Sequence, residues 1–314
     1  MRPVICAAMV VGLAVGAAER ANANVPENCQ SVRFSDVGWT DITATTAVTS
    51  VVLEALGYAT SAEVLSVPVT YVSLKNGDID VFLGNWMPTM EADIAPYRED
   101  GSVETVRANL EGAKYTLAVP SYAADGGVRD FADIAAHAEQ FDSKIYGIEP
   151  GNDGNRLILD MIASDQFGLG GFELVESSEQ GMLAQVARAA RTEDWIVFLA
   201  WEPHPMNANF ELTYLSGGDD VFGPNYGGAT VYTNVRAGYL DECPNMATFL
   251  NNLEFSLALE NEVMGAILND GATPNDAATA WLQANPDVLD GWLEGVTTVS
   301  GEPGLPAVRS ALGL

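Results

Sequence analysis

The sequence predicts a two-lobed α/β protein with a ligand cleft between the lobes, and three observations predict it. Strand-like apolar runs alternate with helical runs over residues 32–83 and again over 131–200, the pattern of parallel sheets covered by helices. Two extended segments, 113–119 and 227–235, join these blocks and read as crossovers out and back. The 314 residues suffice for two domains with substantial cores.

Residues 1–23 stand apart. Arg2 supplies a basic start, 4–18 an apolar run and Ala21-Asn22-Ala23 a small-x-small cleavage site. This predicts a secretory signal peptide, too short and too Ala-rich for a membrane span. No lipobox-like run precedes Cys29, so the mature chain is expected to be exported without a lipid anchor. Cleavage removes Cys6 and leaves Cys29 and Cys243. An even pair in an oxidising compartment suggests one disulfide, with two buried free thiols as the alternative.

In the first lobe, Val32-Arg33-Phe34-Ser35-Asp36 reads as a strand leading to Gly38 and Trp39. A helix over 40–56 carries Ala44, Val48, Val51, Val52, Ala55 and Leu56 at helical spacing and stops at Gly57. A second strand is expected at 64–67, a short helix at 69–76 and a third strand at 79–83. Gly84 and Asn85 are expected to break that strand, and Pro88 suits the first turn of a helix over 87–97. The second lobe repeats the alternation, with helices at 131–138, 155–163 and 181–191 and strands at 144–148, 172–175 and 196–200. Beyond Cys243 the pattern is helical. The boundaries expected are 24–112 with 229–314 for lobe 1, and 113–228 for lobe 2.

Composition excludes several classes of function. The formal net charge is −29, with Lys75, Lys114 and Lys144 the only lysines, so nucleic acid and anionic membranes are repelled. Two histidines, His137 and His204, are too few for a His-rich metal site. Gly147, Gly151 and Gly154 lack the spacing of a dinucleotide fingerprint. Glu149 and Asp153 read as solvated loop acids rather than a catalytic pair. Neither an enzyme, a cofactor nor a metal is expected.

The aromatic residues are more informative. Trp39 follows the first strand, Trp86 the third and Trp201 the strand at 196–200, while Tyr115 lies in the first crossover. Open α/β sheets bind ligands at the carboxyl ends of their strands. A single Trp there is more often a core plug, but four aromatic faces converging on one cleft form a box for a cation. A quaternary ammonium has no N–H to donate, so ring faces recognise it, at roughly 0.5–2 kcal/mol per contact. Trp195 begins its strand, and Trp281 and Trp292 lie in the helical tail. These three are assigned to packing.

Four segments carry a resemblance across essentially the whole mature chain. They are Phe34-Ser35-Asp36-Val37-Gly38-Trp39-Thr40-Asp41, Phe82-Leu83-Gly84-Asn85-Trp86-Met87-Pro88, Tyr146-Gly147-Ile148-Glu149-Pro150-Gly151-Asn152-Asp153-Gly154-Asn155 and Phe198-Leu199-Ala200-Trp201-Glu202-Pro203-His204. The chain closely resembles the periplasmic choline-binding proteins of ABC importers, within the choline and glycine betaine substrate-binding family. The resemblance implies a type II substrate-binding fold, a monomer that serves ABC permease subunits, and choline as ligand. It also implies that Trp39, Trp86, Trp201 and Tyr115 box the ammonium, with Asp41 near the cation and Asn152 on the hydroxyl. Read without it, Asp41 serves equally as a helix N-terminal charge and Asn152 more readily as a cap or turn residue. Glycine betaine or dimethylsulfoniopropionate in the same box is the alternative ligand. His204 and the 151–154 loop are the features that could serve a carboxylate.

Overall fold

The computed structural model describes residues 24–314, and the expected signal peptide at 1–23 lies outside the described residues. Strands β1 (Ser31–Asp36), β2 (Ala59–Val64) and β3 (Val81–Met87) form a parallel group in the order β2-β1-β3. β4 (Val103–Pro120) leads to a second group of β5 (Lys144–Tyr146), β6 (Glu173–Val175) and β7 (Phe198–Glu202), parallel in the order β7-β5-β6. A short β8 (Leu212–Tyr214) flanks β4, and β9 (Gly228–Arg236) returns the chain. The two expected crossovers are thus β4 and β9, and they pair with each other antiparallel. β9 also pairs with β3, and β4 with β7, so one continuous sheet links both lobes.

The helix Thr40–Ala55 is buried on almost every face, consistent with its apolar and Thr-rich composition. It packs on the C-terminal helices Leu257–Leu268, Pro274–Ala284 and Gly304–Leu312, which return the tail to the first lobe. Cys29 and Cys243 form the expected disulfide, closing a sequence separation of 214. In the chain-entropy picture such a loop is worth at most roughly 5 kcal/mol. Both cysteines should resist alkylation until reduced, and the double Ser variant should lose about 2–5 kcal/mol in denaturant melts. Two free thiols in native, unreduced protein would contradict the pairing.

Four local expectations need correction. The second strand is Ala59–Val64, not 64–67, and Val67 already starts the helix Val67–Asn76. This edge strand is largely exposed, Val64 at 74%, so it has no inward apolar alternation to reveal it. The third strand does not end at Gly84 but runs through to Met87, with a register shift between Phe82 and Asn85. Gly84 serves close approach, since a Cβ there would lie 2.6 Å from Ile42 Cδ1 on the Thr40–Ala55 helix. Pro88 lies in a turn after the strand, and the helix starts later, as Glu91–Glu99. β7 is likewise displaced, so Trp201 sits inside the strand near its carboxyl end.

Candidate functional site

The site forms where the carboxyl ends of parallel strands from both lobes face each other. Trp39 immediately precedes the helix that follows β1, Trp86 is near the end of β3, Trp201 near the end of β7, and Ile148 lies just beyond β5. Tyr115 pairs directly with Trp201 across β4 and β7, while Trp86 pairs with Val231 of β9. That register decides the box, because a one-residue slip would turn each side chain to the opposite face. Trp39, Asp41, Trp86, Tyr115, Ile148 and Trp201 wall a small cavity, with about 230 Å³ of space when its opening to solvent is included.

The rings meet at angles rather than in stacks. Trp86 and Tyr115 have centroids 6.0 Å apart at 59°, and Tyr115 and Trp201 6.2 Å apart at 78°. Edge-to-face contact leaves ring faces free to be presented to the cavity. Gly154 permits this arrangement, since a Cβ there would lie 2.0 Å from the Tyr115 hydroxyl. Composition alone would not single it out.

Asp41 is the one ionisable carboxyl on the cavity wall. Its Oδ2 accepts the Trp86 indole N–H at 3.1 Å, which leaves Oδ1 without a partner. The indole N–H groups of Trp39 and Trp201 are also buried and unpaired. Buried polar atoms without partners are rare in native proteins, and their gathering around one cavity marks it as a site. Burial, then the charge of Glu179, pushes the Asp41 carboxyl up to about 8. Burial likewise holds the Tyr115 phenol well above its usual range.

Five of the six expected residues line the cavity; Asn152 does not. It caps the helix Asp153–Ala163, with Oδ1 accepting from Asn155 N at 2.9 Å and from the Tyr115 hydroxyl at 3.2 Å. The cap role and a link to the box therefore coexist in one side chain. Trp195 packs against His137 and Phe141, and Trp292 against Phe255, as packing residues should. Contacts close the cleft from both lobes. Arg156 reaches Asp93 and the Thr89 carbonyl, each at 2.9 Å, and Glu179 reaches Thr40.

Residues 30–284 match the family profile OpuAC, the substrate binding domain of the ABC-type glycine betaine transport system. The chain belongs to this family. An ABC-transporter choline binding protein in complex with choline is 72% identical, covers 92% of this chain and all of its own, and superimposes with a TM-score of 0.91. The same description in an unliganded semi-closed conformation, also 72% identical over 92% of this chain and all of its own, gives 0.85. Among more distant OpuAC members, the lactococcal protein in its closed, glycine betaine-bound conformation is 26% identical, with a TM-score of 0.75 over 83% of this chain and 98% of its own. An uncharacterised protein of Chromohalobacter salexigens is 60% identical over 129 residues, 41% of this chain and 83% of its own length. Among the described residues, no helix is long and apolar enough to cross a membrane.

Proposed function

We propose that this OpuAC-family chain is the periplasmic binding protein of an ABC importer, and that it captures choline and presents it to the permease without chemical turnover. The observation that carries the reading is the wall of the cavity: three indoles, one phenol, one carboxyl group and Ile148, with no cationic side chain. Trp39, Trp86, Tyr115 and Trp201 would surround the ammonium, Asp41 would balance its charge, and Asn152 would act through Tyr115 or on the hydroxyl. The likeness to the choline complex, at 72% identity, supports the same ligand. Lobe limits at 24–112 with 229–314 and at 113–228 are proposed with it. The reversal between parallel groups at the β4–β9 pair supports them.

A cation bridging both lobes favours closure, because only the closed form completes its contacts. Glycine betaine is the competing ligand, since relatives in the family bind it. Its carboxylate would enter a cavity whose ionisable wall group is Asp41, and an unpaired buried charge costs several kcal/mol. Calorimetry with choline, glycine betaine and dimethylsulfoniopropionate tests the choice. Choline should bind at least about tenfold more tightly, a difference of only about 1.4 kcal/mol. A preference for either zwitterion would overturn the assignment.

A further inference from the structure

Directly behind the aromatic box lies a buried carboxylate that the box does not account for. Glu179 begins the helix Glu179–Thr192 in the second lobe and is fully buried. Its Oε2 accepts the backbone N–H of Thr40 at 2.7 Å, and its Oε1 accepts the Thr40 hydroxyl at 2.6 Å. Oε1 also lies 3.1 Å from His204 Nε2. His204 Nδ1 accepts from Met206 N at 2.9 Å, which leaves Nε2 as the protonated nitrogen and the donor. All three partners donate, so Glu179 acts as an acceptor-only carboxylate.

The donors it gathers stand directly behind two residues of the cavity wall, Trp39 and Trp201. Thr40 follows Trp39, whose side chain cannot cap the helix it precedes, so a first-turn N–H is left open to an anion. The His204 ring lies 4.8 Å from the Trp201 ring, at 69°. A backbone N–H at a helix start, a hydroxyl and an imidazole N–H are the groups that bind a carboxylate. Here the protein supplies that carboxylate itself.

We infer that Glu179 is a specificity-determining residue: its carboxylate engages the donors that a zwitterion would need, so the box accepts cations and refuses zwitterions. Two effects act together. Thr40 and His204 have no free N–H or O–H for a ligand carboxylate. In addition, burial chiefly, and the Glu179 charge after it, push Asp41, Asp36 and Glu149 towards the protonated form. The remaining unpaired donors at the cavity, the Trp39 and Trp201 indole N–H groups, are neutral and cannot offset a second buried anion.

This inference rests on the cation reading of the cavity, and the experiment separates the two. Choline and glycine betaine affinities are measured by calorimetry for the wild type, Glu179→Ala and Glu179→Gln, with ligand-free thermal melts alongside. The expected result is a choline-to-betaine affinity ratio that falls at least about tenfold in both variants. Should the Ala chain fail to fold, the isosteric Gln chain decides. A wild type that binds choline, with variants that weaken both ligands in proportion, would make Glu179 a lobe fastener only and overturn the inference alone. A wild type that does not bind choline would overturn the cation reading and the inference with it.

Discussion

Trp201→Ala is expected to weaken choline binding at least about a hundredfold, close to 2.7 kcal/mol. The ring supplies cation–π contact and buried area, and its loss leaves a hole on one wall of the cavity. Trp86→Ala should do as much, but Trp201 is the cleaner test. The Trp86 indole N–H holds Asp41 Oδ2, so removing Trp86 also strips a bond from a buried acid. The Trp201 N–H has no acceptor to lose. Because each ring borders an existing cavity, ligand-free melting should fall only modestly. Bound ligand raises melting in proportion to the logarithm of its excess over Kd. The decisive result is therefore a melt that choline no longer shifts. If a variant loses binding only because it unfolds at the assay temperature, that indole is structural and the box loses a wall.

Asp41→Asn should also cost choline about a hundredfold, but only at alkaline pH. Burial first and then Glu179 push the Asp41 carboxyl up to about 8, which favours its protonated form below that pH. A cation in the box favours the ionised form. Choline affinity should therefore rise with pH up to about that value, and binding between about pH 6 and about pH 8 should release a proton. About two pH units below it, ionising Asp41 costs about 2.7 kcal/mol, nearly all that the ion pair returns. The Asn variant should thus resemble wild type near about pH 6 and fall behind near about pH 9. The sign for stability is the reverse. A raised carboxyl pKa weakens the ligand-free fold as pH climbs from the unfolded value towards about 8. Calorimetry in two buffers of different ionisation enthalpy counts the proton. An Asn variant with wild-type choline affinity at alkaline pH would remove Asp41 from the site.

Much of this was legible in the chain alone. Strand ends at Asp36, the β3 region and the β7 region are marked by apolar runs, and each is followed or ended by a Trp. Side-chain period and the rule that ligands gather at carboxyl ends of parallel strands are local and topological facts, so they can be read in order. The even pair, Cys29 and Cys243, left after the expected signal peptide likewise pointed to the bond that forms. Local reading failed where a neighbour from elsewhere in the fold overrode it. Gly84 looks like a strand breaker, yet Ile42 needs the space that its missing Cβ leaves.

Tertiary structure alone decided the pairing of Tyr115 with Trp201, which depends on the register between two strands more than eighty residues apart in sequence. It also decided that Asn152 stands behind Tyr115 and that Glu179 takes the Thr40 N–H across 139 residues of sequence. Nothing in the residues around Glu179 sets it apart from the many other acids of this chain. A carboxylate becomes a functional group only when folding removes its water and brings three donors to it, and that proximity is a property of the continuous sheet and its two lobes rather than of any stretch of sequence.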